Sequence, residues 1–305
     1  MLKAIVQKIL SKLPYKHQLN FFFQYHITRG ARFNDIYFED KIIHASNHYD
    51  NFCKFSNKTT NFSVLELGTG WYPVVPLCYF LFGADKIVTV DLTQHISARS
   101  IRTVLNRFEE YADFGKLDKL LPKFNMSRLE YLLNTARDKY NLSFKELLKE
   151  FRIEYQCGDL RKMKLVPSKF DLISSNNTFE HIYPQILSDI LKIFKSLSNE
   201  DTIWSHFIDM SDHFAHLDSS INIYNFLQYS EKKWAQIDNS IQPQNRLRIT
   251  DYKLMYEELG IKILEEISRV GHMELLNQIQ INPMFSKINK SDMAVSHTYL
   301  ISRIK

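Results

Sequence analysis

The chain has 305 residues, 45% of them hydrophobic and 24% charged, enough apolar material for a sizeable core, which excludes an intrinsically disordered chain. Its formal charge of +5 comes from interspersed acids and bases rather than a basic stripe, so the balance does not by itself imply nucleic acid. The longest apolar stretch, Trp71 to Phe82, holds two prolines and falls short of the roughly 20 residues of a membrane-spanning helix.

In chain order, the first segment, MLKAIVQKILSKL, sets Lys3, Lys8 and Lys12 around an apolar stripe. That pattern fits docking on the protein's own core or contact with an anionic membrane surface. It lacks the small-residue cleavage site of a secretory signal. Residues 1–60 are rich in aromatics without alternation and read as a helical cover. Ser63 to Leu67 then forms a short apolar run ending in Gly68-Thr69-Gly70, which predicts a buried strand entering a tight turn. A helix over Trp71 to Phe82 and a second β-rich run, Lys86 to Asp91, complete a βαβ unit.

Residues 93–150 carry helical spacing and predict two or three inserted helices. Ile153 to Cys157, Phe170 to Ser174 and Thr202 to Ile208 supply further strands, with a helix through Ile186 to Phe194 before the last. A helix over Thr250 to Leu259 precedes two closing strands, Ile261 to Val270 and His297 to Ile304, where an antiparallel edge is expected. The expected fold is α/β, a doubly wound, mostly parallel, seven-stranded sheet, over residues 61–305 with the helical insertion at about 93–150. Cys53, Cys78 and Cys157 are widely spaced and form no CxxC pair, which suits a reducing compartment and a cytoplasmic address.

Doubly wound sheets bind ligands beyond the carboxyl ends of their strands, and the first glycine turn lies at that position. Gly68 and Gly70 let the backbone turn sharply and approach a ligand. Asp91 ends the second strand, where a carboxylate can accept from both hydroxyls of a ribose. A nicotinamide-binding turn, G-x-G-x-x-G, would need its third glycine where this chain has Pro73.

Val64-Leu65-Glu66-Leu67-Gly68-Thr69-Gly70 resembles the first motif of class I S-adenosylmethionine-dependent methyltransferases, of the small-molecule or glycan type. The resemblance spans about residues 60–210. It implies that Glu66 serves the methionine end of S-adenosyl-L-methionine, that Asp91 holds the ribose, and that Cys157-Gly158-Asp159-Leu160 supplies the acid reading the adenine amino group. The implied cofactor set is Glu66, Gly68, Thr69, Gly70, Asp91, Leu92, Asp159, Leu160 and Asn176. Asn176 belongs to a run, Phe170 to Asn177, that resembles the family's fourth strand, and Thr178-Phe179-Glu180-His181-Ile182 is similar to the Glu-His segment of many small-molecule members. Two departures stand out: Tyr72-Pro73 replaces the third glycine's neighbourhood, and the segment after Asp91 is long.

The sulfonium already activates its methyl group, so an enzyme chiefly aligns acceptor, methyl and sulfur and removes a proton from a hydroxyl acceptor. His181 is the first candidate base, with a packed or capping histidine as the bland alternative. His206 to His216 is dense in His and Asp; on a helix Asp209 would face His213 and Asp212 would face His216. The candidate catalytic set is therefore His181, Asp209, Asp212 and His213, with no metal assigned. Asn176-Asn177-Thr178-Phe179 lacks the prolines typical of exocyclic-amine methyltransferases, and no Pro-Cys nucleophile is present, which argues against nucleic acid as acceptor. The expected activity is O-methylation of a small polar or sugar-like acceptor; the alternative is a cofactor-binding partner protein without catalysis.

Overall fold

A computed structural model describes residues 32–163, 169–215, 218, 220–239 and 243–305; the basic amphipathic start lies outside them. Seven strands form one sheet: β1 Ser63–Leu67, β2 Lys86–Asp91, β3 Ile153–Cys157, β4 Leu172–Asn176, β5 Ile203–Asp209, β6 Ile261–Val270 and β7 Val295–Ile304. Their order is β3-β2-β1-β4-β5-β7-β6, and the pairs β1–β2, β1–β4 and β2–β3 are parallel. The last strand in sequence thus lies inside the sheet, while β6 takes the edge. This is the doubly wound α/β architecture expected from the alternating pattern.

The chain divides into two compact units, one of residues 33–176, 192–206 and 301–305, the other including residues 177–191 and 207–300. In the first, α1 Asp35–Phe55 is capped by Asn34, whose side chain accepts from Tyr37 N–H at 2.8 Å. Its buried Phe38, Ile42, Ala45, Tyr49 and Phe52 recur at alternating intervals of four and three, the stripe of a helix with one face on a core. Tyr49 stacks on Phe82 with ring centroids 4.3 Å apart. The next helix, α2 Val74–Leu81, is buried at all eight positions and is shorter than the expected Trp71–Phe82 because the glycine turn runs on to Pro73.

The insertion after β2 holds four helices rather than two or three: α3 Ala98–Asp113, α4 Leu117–Leu120, α5 Met126–Asp138 and α6 Phe144–Glu150. Gly115, at φ +61°, separates α3 from the single turn of α4, a break between helices that apolar spacing does not reveal. Capping boxes at Ser97/Ser100 and Ser143/Glu146 set the starts of α3 and α6. The chain then runs through β3 and β4 into α7 Pro184–Ser196.

In the second unit, α8 Glu231–Ile237 and α9 Ile249–Glu258 lie near an apolar cluster that includes Tyr224, Phe226, Trp234 and Phe285. Arg248, at the start of α9, is fully buried. Its guanidinium donates to the carbonyls of Met210, Met293 and Val295, the middle one at 2.8 Å. Burial pulls its pKa down to about 10, and the three carbonyls are what make a buried cation tolerable there.

Candidate functional site

Strand register builds the cofactor-side site in the first unit. Leu67 pairs with Val90 and with Ser175, and Asp91 pairs with Cys157, so four parallel strands run out in step. Gly68 to Gly70, Leu92, Gly158 to Leu160 and Asn176 are therefore gathered at one edge of the sheet although they are scattered over about a hundred residues of sequence. Gly68 N–H donates to Val90 O at 2.9 Å, and Gly158 N–H donates to Asp91 O at 2.8 Å, which ties the three turns together. Gly68 and Gly70 have φ of +87° and +73°, the left-handed region that favours glycine, and no atom lies within 4 Å of where a Cβ on Gly70 would stand.

Two buried carboxylates face this turn. Glu66 Oε2 accepts from Thr89 Oγ1 at 3.0 Å and from Thr69 Oγ1 at 3.2 Å, and Glu66 and Thr89 are register partners on β1 and β2. Asp91 Oδ1 accepts from Gly70 N–H at 3.3 Å, while its buried Oδ2 has no hydrogen-bond partner among the described residues. Neither carboxylate forms an ion pair among the described residues. Burial, the largest influence on each, pushes both up to about 7, and the mutual repulsion of the two charges adds to the effect on Glu66.

The remaining cofactor candidates differ in their surroundings. Leu92 is exposed and Leu160 buried. Asp159 caps the single turn Leu160–Lys162, and Arg161 grips its carboxylate through Nε at 3.0 Å and Nη2 at 2.6 Å, which holds it below the usual carboxylate range. A ligand amino group would have to share Asp159 with that guanidinium. Asn176 is buried at the end of β4.

Aromatic neighbours of this site were not among the predicted residues. Tyr37 on α1 packs against Tyr72 of the glycine turn, ring centroids 5.7 Å apart, and Phe33 lies 4.5 Å from the same ring. Tyr155 of β3 accepts from His95 N–H at 3.0 Å, and Trp71 meets the His95 ring at 4.3 Å. The aromatic density before residue 60 was the available signal for Phe33 and Tyr37, though it carried no indication of which ring would reach the glycine turn.

In the second unit, a single 3₁₀ turn, Phe179–His181, follows Asn177, which takes φ +51°. Asn245 clamps this turn: its amide donates to the carbonyls of Phe179 and Ile182, both at 2.8 Å, and its backbone N–H donates to Glu180 O at 2.8 Å. His181 Nδ1 lies 2.7 Å from Pro243 O. A carbonyl can only accept, so the proton sits on Nδ1 and the Nε2 lone pair is left for chemistry. The His181 and His213 rings are 4.9 Å apart, and the donor atoms of Glu180, His181 and His213 all lie within 4.8 Å of one another.

Asp209 and His213 meet as the spacing suggested, Oδ2 to Nε2 at 3.2 Å, but not on a helix: Asp209 is the last residue of β5 and a turn follows it. The other oxygen of Asp209 faces His297 of β7 at 3.4 Å, a partner the linear sequence gave no reason to expect. Asp212 has a different environment. It is fully buried, and its oxygens accept from Phe214 N–H at 2.9 Å and Asn225 Nδ2 at 3.2 Å, the arrangement of a turn anchor. Its proposed partner His216 lies outside the described residues.

No family model matches the chain, and no curated protein matches it. Among solved structures, the chain is similar to an S-adenosylmethionine-dependent methyltransferase from Clostridium acetobutylicum, with 11% identity, TM-score 0.45, and coverage of 95% of this chain and 99% of that one. It is also similar to a TehB-like SAM-dependent methyltransferase from Corynebacterium glutamicum, with 12% identity, TM-score 0.43, and coverage of 96% and 100%. No helix among the described residues is long and apolar enough to cross a membrane.

Proposed function

We propose that the protein binds S-adenosyl-L-methionine and transfers its methyl group to a hydroxyl of a small polar or sugar-like acceptor. The observation that carries this reading is the pair of buried, ion-pair-free carboxylates, Glu66 and Asp91, beside a left-handed glycine turn at the level ends of parallel strands. A ligand with a cationic end and a vicinal diol supplies what both groups lack. The diol donates to Asp91, the cation lowers the cost of ionised Glu66, and the amides of the turn meet polar atoms of the ligand.

For the acceptor, His181 Nε2 takes the hydroxyl proton, the oxygen forms a bond to the methyl carbon, and the carbon–sulfur bond breaks. The electron pair returns to sulfur, leaving neutral S-adenosylhomocysteine. Asp209 supports His213 in the same cluster. The cytoplasm, with its supply of S-adenosylmethionine, is the compartment such an activity needs, and free Cys53, Cys78 and Cys157 suit it.

The test is S-adenosylmethionine titrated into the purified chain by calorimetry, followed by release of S-adenosylhomocysteine with a panel of hydroxylated acceptors. Binding that Asp91→Ala weakens, together with turnover, supports the reading; no binding by the wild type overturns it. Binding without turnover on any acceptor would instead favour a cofactor-binding partner protein.

A further inference from the structure

We propose that Glu180, His181 and His213 form a binding site for a divalent transition-metal ion such as Zn2+ or Co2+. The three side chains offer donor atoms that all lie within 4.8 Å of one another. Donors about 2.1 Å from a tetrahedral ion sit about 3.4 Å apart, so side-chain rotations of about 1 Å would close the shell. Two imidazoles and one carboxylate suit borderline cations better than Mg2+ or Ca2+, and leave coordination positions open for an exogenous oxygen.

The surroundings match what metal-binding histidines need. His181 donates through Nδ1 to the Pro243 carbonyl at 2.7 Å, which presents Nε2 as a lone pair. His213 is backed by Asp209 at 3.2 Å, a carboxylate–histidine contact of the kind that orients a ligand and raises its basicity. Asp209 is in turn faced by His297 at 3.4 Å. Glu180 is buried on a turn that Asn245 holds through three hydrogen bonds, so the carboxylate and the His181 ring are placed before any ion arrives.

The chemical purpose rests on the methyl-transfer reading, although the metal site does not. An acceptor hydroxyl that coordinates the ion becomes more acidic and gives its proton to water, and its oxygen then attacks the methyl group. With the ion bound, His181 is a ligand, and Lewis-acid activation replaces proton uptake by its Nε2.

The experiment uses the full chain, stripped with a chelator and titrated with Co2+, whose visible bands report coordination, and then with Zn2+. Expected are one Co2+ per chain, displacement of its bands by Zn2+, and a loss of affinity exceeding the roughly 10–100-fold typical of outer-shell changes in both Glu180→Gln and His213→Gln. His272→Ala, at an exposed histidine outside the cluster, should bind as the wild type does. Circular dichroism melts identify a variant that fails to fold, and His213, only partly buried, is the safer of the two. No Co2+ bands in the wild type at about 1 mM, the weak end of useful affinity, or unchanged affinity in a folded variant overturns the site. S-adenosylmethionine titrated into the same samples reads the methyl-transfer proposal separately: cofactor binding without Co2+ removes the metal alone, and Co2+ binding without the cofactor removes the transfer reading alone.

Discussion

The main-chain N–H of Gly70 donates to Asp91 Oδ1 across 3.3 Å, so the turn after β1 and the acid ending β2 are one structure rather than two motifs that happen to share a sequence. The bond occupies one carboxylate oxygen and leaves Oδ2 buried without a hydrogen-bond partner among the described residues. A buried acceptor in that condition is unfavourable in the free protein and favourable for a ligand that brings a hydroxyl.

Asp91→Ala should therefore weaken S-adenosylmethionine binding by about 1–3 kcal/mol while leaving the fold intact, because the lost contacts are made to the ligand. Calorimetric titration of wild type and variant checks it. Equal affinities would remove Asp91 from the cofactor site.

Gly70→Ala separates backbone conformation from space. At φ +73° a side chain costs about 1–2 kcal/mol, yet nothing lies within 4 Å of the new methyl group to clash with it. Urea unfolding should show that loss without a change in the slope of the transition. Any larger effect on cofactor affinity would mean that the open space beside Gly70 is where the ligand approaches.

The pH dependence follows from Glu66 and Asp91, whose ordinary values of 4.5 and 3.8 are pushed up to about 7 by burial. The folded protein then keeps protons that the unfolded chain has released. Stability from these groups is full below about pH 4 and is lost as pH rises through about 7, on the order of 3 kcal/mol for each group taken alone. The ligand-free protein should melt lower at pH 8 than at pH 5, and Glu66→Gln should flatten the curve. S-adenosylmethionine should stabilise the protein most on the alkaline side, where the carboxylates it meets are ionised. A melting temperature that rises steadily from pH 5 to pH 8 in the ligand-free protein would refute this assignment.

His181→Ala and Asp212→Ala should fail differently. Losing a proton acceptor, or a ligand, at His181 should cut turnover by about 10²-fold or more with cofactor affinity kept. Removing Asp212 leaves Phe214 N–H and Asn225 Nδ2 without their acceptor and should lower stability by about 1–3 kcal/mol. Steady-state kinetics beside thermal melts tells them apart; a stable but inactive Asp212→Ala would return that residue to the chemistry.

The strands and the glycine turn were legible because burial and parallel pairing impose continuous apolar runs, and these survive in a single sequence. β6 has the boundaries read from its residues, and β2 ends on Asp91 as expected. The acceptor-side cluster was only half legible. Asp209 and His213 are four apart, which suggested a helix, whereas a turn after β5 brings them together. His297, Pro243 and Asn245 come from far along the chain, and contacts of that range leave no periodic trace. Asp159 has the expected position at the strand ends, but its bond to Arg161 depends on the local 3₁₀ turn, which no spacing rule announces.

The guanidinium of Arg248 has a consequence for how the molecule comes together. Two of its three carbonyl acceptors, Met293 and Val295, enter the chain only at the approach to the final strand. During synthesis, the region around Met210 therefore cannot close over that charge until β7 has begun to emerge. A chain shortened to end before Met293 would have to leave Arg248 in water, and with it the start of α9.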